Sequence, residues 1–159
     1  MLSEQEQLQI RLLSDNELYP QAIELIQGLG RALPQTQING LLNVSLGDTY
    51  DHLKRFVKRQ QGRSTWAARD RHIPDFYKKF SEKLLRLEKE YVPLVTKLRP
   101  EQVSPVDLQA IRMALARELI QHILAENTYK AAVTGFQAGP DENHAREQRA
   151  QNGRGESRR

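Results

Sequence analysis

The sequence predicts an all-α protein: a compact bundle of about five to six helices with a disordered C-terminal tail. Three observations favour this fold class. Apolar residues recur at intervals of three and four in successive segments, which is the period of a helix with one buried face. Serine, threonine, proline and glycine separate these segments where helices usually begin and end. No useful run of residues alternates in polarity as a half-buried strand would.

The first two predicted helices lie in the N-terminal third. The tetrapeptide Ser-Glu-Gln-Glu at 3–6 has the form of a capping box, in which Ser3 accepts from the amide of Glu6 and the Glu6 carboxylate reaches back. Few apolar residues follow, so we expect residues 1–19 to form a loosely docked N-terminal helix. A second helix should begin near Pro20, because the fixed φ of proline suits a first helical turn.

The third and fourth predicted helices follow directly. The third runs from about Thr36 to Leu46, and Asp48 should cap the fourth, over about 49–61. Placing the residues of the fourth helix at 100° steps separates an apolar arc from a cationic arc. The apolar arc contains Tyr50, Leu53, Phe56 and Val57, and the cationic arc contains Lys54, Arg55, Lys58 and Arg59.

An Arg-rich loop at 62–72 leads to the fifth predicted helix and contains Trp66, the only tryptophan. The fifth helix spans about 74–91, and Pro93 should kink or end it. Its aromatic and aliphatic residues share one arc. The opposite arc contains Lys78, Lys79, Lys83, Arg86 and Lys89.

The last predicted helix and the tail complete the chain. Ser104 as N-cap and Pro105 in the first turn begin this helix, which runs to about Ala132. The residues that follow are mostly polar and cannot offset the entropy lost on ordering. We therefore predict a helical bundle domain over 1–132 and a disordered polar tail over 133–159.

Composition excludes several classes of protein. The chain has 159 residues, of which 38% are hydrophobic, enough for one modest core. No segment has the ~20 consecutive apolar residues of a membrane-spanning helix, and the N-terminus does not resemble a secretory signal. Cysteine is absent, which excludes disulfides and thiolate metal sites. These features favour a cytoplasmic protein without a membrane partner.

Charge is unevenly distributed along the chain. Residues 1–53 contain two basic and seven acidic side chains, whereas residues 54–89 contain twelve basic and four acidic ones. This asymmetry favours an acidic or polyanionic partner for the middle of the chain. The alternative is that the basic arcs are solvated helix faces that serve solubility alone.

The histidines do not predict catalysis. His122 lies four residues from both Glu118 and Glu126, a spacing that can place three metal ligands on one helix face. However, His122 falls on the apolar arc of its helix, which favours a partly buried structural histidine. His52 and His72 lie near aspartates but without a nucleophile. We predict no catalytic residue, no metal site and no cofactor.

The basic middle of the chain indicates a function more strongly than the histidines do. Phosphate contacts need cations without fixed base-edge geometry, and mixed Lys/Arg helix faces supply them. Trp66 lies among Arg63, Arg69 and Arg71, where its indole can stack on an exposed base. The alternative for Trp66 is a hydrophobic anchor that holds the loop to the core.

Several stretches occur in an order that a known family shares. Residues 34–40 (Pro-Gln-Thr-Gln-Ile-Asn-Gly) begin an early helix, residues 60–63 (Gln-Gln-Gly-Arg) end the next, and residues 76–80 (Phe-Tyr-Lys-Lys-Phe) follow a basic loop. A long helix of mixed polarity, over 111–129, closes the core. Together these stretches, within residues 20–132, resemble the small helical subunit of type III CRISPR–Cas effector complexes, of the Csm type.

The resemblance implies a non-catalytic antiviral-defence subunit that stacks in several copies beside the crRNA-bearing backbone subunits. Its basic faces would contact the phosphates of the guide–target RNA duplex without reading sequence, and its N-terminal third would meet protein neighbours. The implied RNA-binding residues are Lys54, Arg55, Lys58, Arg59 and Arg63, followed by Arg69, Arg71, Lys78 and Lys79. The competing interpretation is a helical adaptor or homo-oligomer, in which the acidic third of one copy meets the basic middle of another.

Overall fold

The structure, a computed structural model, describes residues 1–47, 49–63 and 66–137. Every regular element in these ranges is helical, which confirms the predicted all-α class. The α-helices are α1 (Glu4–Leu13), α2 (Tyr19–Gln27), α3 (Gln35–Gly47), α4 (Tyr50–Gly62), α5 (His72–Arg86), α6 (Val92–Thr96) and α7 (Pro105–Gln137). Two π-turns, Ser14–Leu18 and Leu87–Tyr91, join α1 to α2 and α5 to α6, so the described chain contains five continuous helical rods.

Two of the prolines that the sequence places near helix ends, Pro20 and Pro93, lie inside these rods. Pro20 and Pro93 are each the second residue after a π-turn. In the π-turns, the N–H of Tyr19 donates to Ser14 O and the N–H of Val92 donates to Leu87 O, five residues back. Proline lacks an N–H and its ring crowds the carbonyl four residues earlier, so a wider turn before it relieves both problems. Pro93 therefore does not end its rod, which continues to Thr96.

The last helix is longer than the sequence predicts. α7 continues to Gln137, across the predicted domain boundary after Ala132. Once a helix is nucleated, each further residue adds a hydrogen bond at little cost, so the helix extends beyond its packed part, and residues 131–134 are exposed. The rest of the predicted tail, residues 138–159, lies outside the described residues.

The core lies between α7 and the other rods. α7 packs against α2, α3, α4 and α6, while α5 packs against α4 and α2. Phe76 and Phe80 of α5 are fully buried and their rings stack with centroids 5.7 Å apart. Leu115 and Leu119 of α7 are also fully buried. This packing leaves one side of α4 and α5 exposed to solvent.

The N-terminal helix is held more firmly than the predicted loose docking. The capping box is confirmed: the Glu6 amide donates to Ser3 Oγ at 3.2 Å, and the Ser3 amide donates to Glu6 Oε2 at 2.8 Å. The Glu6 side chain is completely buried and pairs with the guanidinium of Arg99, which also donates to Asp107 Oδ2 at 2.7 Å. Ile10 is buried in the core as well. The prediction of loose docking considered only the apolar residues of this helix. It did not include the ion pair with Arg99, which also holds the helix in place.

This pairing predicts a pH dependence of stability. Hydrogen bonding to Arg99 lowers the pKa of Glu6 below its ordinary value of 4.5. The stability that the ionised carboxylate contributes is therefore present above pH 4.5 and is lost as the pH falls through the lower folded-state pKa. Glu6→Gln should lower the melting temperature at about pH 7, and the gap to the wild type should narrow by about pH 3. Thermal melts followed by circular dichroism measure both gaps.

Glu4→Gln is the control, because Glu4 is an exposed carboxylate in the same helical turn. Its melting curve should stay close to that of the wild type at both pH values. A gap between Glu6→Gln and the wild type that stays constant with pH would contradict the role given to the Glu6 carboxylate.

Cations of α7 satisfy backbone carbonyls at the ends of two other helices. The Arg117 Nε donates to Ser45 O at 2.6 Å, in the last turn of α3. The Lys130 Nζ donates to Ile26 O at 2.9 Å and to Leu29 O at 2.6 Å, where α2 ends. The last carbonyls of a helix lack partners within the helix and carry partial negative charge, so cations stabilise them. α7 is thereby joined by hydrogen bonds to the C-terminal ends of α2 and α3.

Candidate nucleic-acid interface

α4 carries most of the candidate cations. The Thr49 hydroxyl begins this helix by accepting from the His52 amide at 3.3 Å; the predicted cap, Asp48, lies outside the described residues. Tyr50 and Leu53 are buried, at 1% and 0% exposure. With one arc held in the core, the opposite arc of α4 necessarily faces solvent.

Three cations of α4 form an exposed group, which we call the α4 ridge: Arg55, Lys58 and Arg59. None of the three pairs with a carboxylate of the described chain. The fourth predicted cation differs, because the Lys54 Nζ lies 3.2 Å from Glu88 Oε1. Lys54 is thus partly neutralised, and the charge available to a ligand is concentrated on the ridge.

A groove lies on each side of the α4 ridge. The α3–α4 groove has a volume of about 640 Å³ and is lined by Val44, His52, Arg55, Phe56, Lys58 and Arg59. The α4–α5 groove has a volume of about 600 Å³, shares Arg55 and Lys58, and includes the carboxylates Asp51, Glu82 and Glu88. The two grooves therefore offer a ligand different charges.

The floor of the α3–α4 groove was not predicted from the sequence. Phe56 is half-buried, at the edge of the apolar arc of α4, and its ring meets Tyr77 edge-on with centroids 5.9 Å apart. The Tyr77 hydroxyl donates to Gln37 Oε1 at 2.7 Å, and burial raises the Tyr77 pKa, so this hydroxyl stays protonated. An aromatic residue at the border between an apolar and a cationic arc was the available signal for this groove.

The structure places Trp66 as an anchor of its loop. The indole Nε1 donates to Gln60 O at 3.2 Å, near the end of α4, and the half-buried ring packs against the core. The Arg63 guanidinium lies 5.1 Å from the ring centroid. Arg71 joins these two side chains around a depression of about 370 Å³. The anchoring alternative is therefore what the structure shows, and a contact between Trp66 and RNA stays a prediction.

The remaining candidate residues lie apart from the α4 ridge. Arg69 is exposed but its Nε lies 3.7 Å from Asp70 Oδ2. Lys79 extends towards Gly28, at the end of α2 rather than towards α4. Lys78 is exposed on α5. Of the predicted RNA-binding residues, Arg55, Lys58 and Arg59 therefore lie together on the α4 ridge, and Arg63 and Arg71 lie together around Trp66. Arg69, Lys78 and Lys79 belong to neither group.

The expected cationic surface over residues 54–89 is smaller than the charge count suggests, because the fold brings carboxylates of other elements to some of its cations. Among the described residues, the ion pairs of this segment are Lys54–Glu88, Arg69–Asp70, Lys83–Glu24 and Arg86–Glu90. Surface pairs of this kind contribute little to stability, but they reduce the positive charge that a polyanion meets.

His122 contacts a buried serine. Its Nε2 lies 2.7 Å from Ser14 Oγ, and Ser14 Oγ donates to Glu118 Oε2 at 2.7 Å. A hydroxyl has one proton, so with that proton donated to Glu118 the contact with His122 requires the imidazole to carry a proton on Nε2. His122 is half-buried, as predicted. Within the described residues, no group of three or more histidine, aspartate or glutamate side chains is arranged to hold a metal ion.

Comparison with known proteins adds no relative: no family model, curated protein or solved structure matches the chain. None of the described helices is both long and apolar enough to cross a membrane. The functional interpretation therefore depends on the geometry and charge of the chain itself.

Proposed function

We propose that this chain is a non-catalytic structural subunit of an RNA-guided complex, which binds the RNA phosphate backbone without sequence specificity and packs against neighbouring subunits. The observation that carries the proposal is the α4 ridge, where Arg55, Lys58 and Arg59 lie exposed on one helix without carboxylate partners in the described chain. Exposed lysine and arginine contact phosphate oxygens as charges, which positions a protein on RNA but carries no sequence information.

The resemblance to the Csm-type small subunit supports a more specific form of the proposal. In that form the complex is a type III CRISPR effector in the cytoplasm, the ligand is the backbone of the crRNA–target duplex, and the neighbours are other effector subunits and copies of this chain. Neither a metal ion nor a cofactor takes part.

An exposed apolar stripe on the N-terminal rod supports contact with neighbouring subunits. Leu8, Leu12 and Tyr19 are 57%, 48% and 44% exposed, respectively. Leu8 and Leu12, four residues apart, form this stripe on one side of α1. Tyr19 follows the π-turn, which shifts the helical phase, and its ring centroid lies 5.1 Å from that of His122. Neighbouring large apolar side chains in solvent are typical of a surface that another protein covers, and this stripe lies on a different rod from the α4 ridge.

The second candidate function is a protein adaptor or homo-oligomer without RNA. The α4–α5 groove favours it, because Leu85 is 49% exposed there among side chains of both charges. Self-association between the acidic N-terminal third of one copy and the basic middle of another is less favoured, because two carboxylates of that acidic third are already paired within the chain. These pairs are Glu6–Arg99 and Glu24–Lys83.

The salt dependence of RNA binding tests the proposal. Two labelled RNA duplexes of unrelated sequence should bind the wild-type protein with affinities within about threefold of each other. Since each phosphate contact contributes ~0.7–0.9 to the slope of log affinity against log salt, three contacts predict a slope of about −2 to −3. Fluorescence anisotropy over a salt series measures both quantities.

A labelled polyglutamate peptide is the control for the adaptor candidate. Equal affinity for this peptide and for RNA would favour an acidic protein partner and contradict the proposal. A slope near zero would exclude the α4 ridge as a phosphate-binding surface.

A further inference from the structure

The two grooves beside the α4 ridge are not equivalent for an anionic ligand. The α4–α5 groove contains Asp51, Glu82 and Glu88. The described lining of the α3–α4 groove contains Arg59 in addition to the shared Arg55 and Lys58, and no carboxylate. The charged side chains that line the α4–α5 groove are balanced, three cations against three carboxylates. A phosphate that reaches the ridge is therefore attracted more strongly to the α3–α4 side.

The α3–α4 groove also has an aromatic floor whose position is determined by its neighbours. The rings of Phe56 and the buried Tyr77 are nearly perpendicular, at 79°, and Gly40 of α3 also lies close to the Phe56 ring. A Cβ atom at Gly40 would lie 3.2 Å from Phe56 Cζ, so only glycine lets α3 approach this closely without displacing the ring. The groove thus combines a preformed aromatic surface, the apolar Val44 and three cations.

We propose that the α3–α4 groove holds one unpaired nucleotide of an RNA strand, with its phosphate on Arg55 and Arg59 and its base against Phe56. The inference depends on the proposed RNA binding. It adds that the strand lies in the α3–α4 groove and that the nucleotide bound there is unpaired. Base stacking on aromatic side chains and phosphate contacts to basic side chains are the two interactions by which proteins bind single strands of any sequence.

A duplex cannot use the aromatic floor of the groove, because its base faces are covered. A volume of about 640 Å³ is in the range of sites for one small ligand. In a duplex the faces of the bases are covered by their stacked neighbours, so only an unpaired base can present a face to Phe56. A duplex can contact the outer side of the α4 ridge through its phosphates, but it leaves the aromatic floor empty.

The Phe56→Leu variant tests this inference, because leucine keeps the apolar bulk and removes the aromatic face. The probes are a labelled single-stranded RNA of about 12 nucleotides, within the usual site sizes, and a labelled RNA duplex of the same length. Phe56→Leu should weaken binding of the single strand by about 5- to 30-fold, the equivalent of losing one stacked base. Its affinity for the duplex should stay within about twofold of the wild type.

Two variants of α4 with the same charge change provide a matched comparison. Arg59→Gln removes a cation from the α3–α4 groove, whereas Lys54→Gln removes one that Glu88 already partly neutralises in the α4–α5 groove. Single-strand binding should fall more in Arg59→Gln than in Lys54→Gln. The reverse order would assign the strand to the α4–α5 groove and overturn the inference.

A base analogue gives a readout that does not depend on the folding of any variant. An RNA with 2-aminopurine at an internal position should change its emission on binding the wild-type protein, because the base leaves its stacked neighbours for the Phe56 ring. Unchanged emission, or equal losses of single-strand and duplex affinity in Phe56→Leu, would overturn the inference and leave the proposed function intact. Failure of the wild type to bind either RNA would overturn both.

Discussion

Replacing Arg55, Lys58 and Arg59 together with glutamine is expected to lower RNA affinity on the order of 10- to 100-fold near physiological salt. The three exposed cations of the α4 ridge have no carboxylate partner in the described chain, so their removal takes away phosphate contacts without freeing a buried charge. The slope of log affinity against log salt should flatten by about 2 to 3. Glutamine is close to lysine and arginine in helix propensity, so the bundle should still fold.

The matched control replaces Lys78, Lys79 and Lys89, which lie on the rod formed by α5, its π-turn and α6, with glutamine. This variant has the same net charge as the α4 variant, but its changes lie on a different rod. If the ridge is the RNA site, the control should lose much less affinity, and unrelated RNA sequences should be affected alike. Equal losses of RNA affinity in the two variants would mean that binding depends on the net charge of the protein alone. That result would contradict a defined RNA site on α4.

Asn127→Ala is expected to have the largest effect on stability. The Asn127 side chain is 3% exposed. Its Oδ1 accepts from the Leu33 amide at 2.7 Å and its Nδ2 donates to Leu33 O at 3.1 Å. Alanine leaves both backbone groups of Leu33 buried without partners, at a cost of ~1–3 kcal/mol each. The free energy of unfolding should fall by about 2–6 kcal/mol, and the melting temperature on the order of 10 °C.

Thr128→Ala is the matched control for this prediction. Thr128 is the next residue of α7 and is exposed, and its hydroxyl donates only to Leu124 O within the same helix. Its removal should change the free energy of unfolding by no more than about 0.5 kcal/mol. Urea unfolding of both variants measures the difference. Similar values for the two variants would show that water satisfies the Leu33 backbone groups when Asn127 is absent.

The local features of the helices could be predicted from the sequence. The capping box at Ser3 is present as predicted, and Ser104 caps α7, accepting from the Asp107 amide at 3.2 Å. The apolar arc of α4 is buried through Tyr50, Leu53 and Val57. These features depend on residues three or four positions apart, and at that distance the spacing along the chain is also the spacing in space.

The candidate site could be predicted only in part. The sequence located Arg55, Lys58 and Arg59 on an exposed arc, but it counted Lys54 with them and did not identify Phe56 as the floor of a groove. Lys54 differs from its neighbours because Glu88, 34 residues later, lies against it. A groove needs two helices, and the period of one helix does not say which other helix lies beside it.

The sequence by itself determined the all-α class, the approximate helices and the inward faces of α4 and α5, because helix period and capping are local properties. Only the tertiary structure decided which charges stay unpaired, how firmly the N-terminal rod is held and where the grooves lie. These depend on contacts such as Glu6 with Arg99 and Leu33 with Asn127, which join residues 93 and 94 positions apart. Such contacts form only when whole helices pack against one another. Which helices pack together depends on the surfaces of all of them, and the local pattern of one helix does not contain that information.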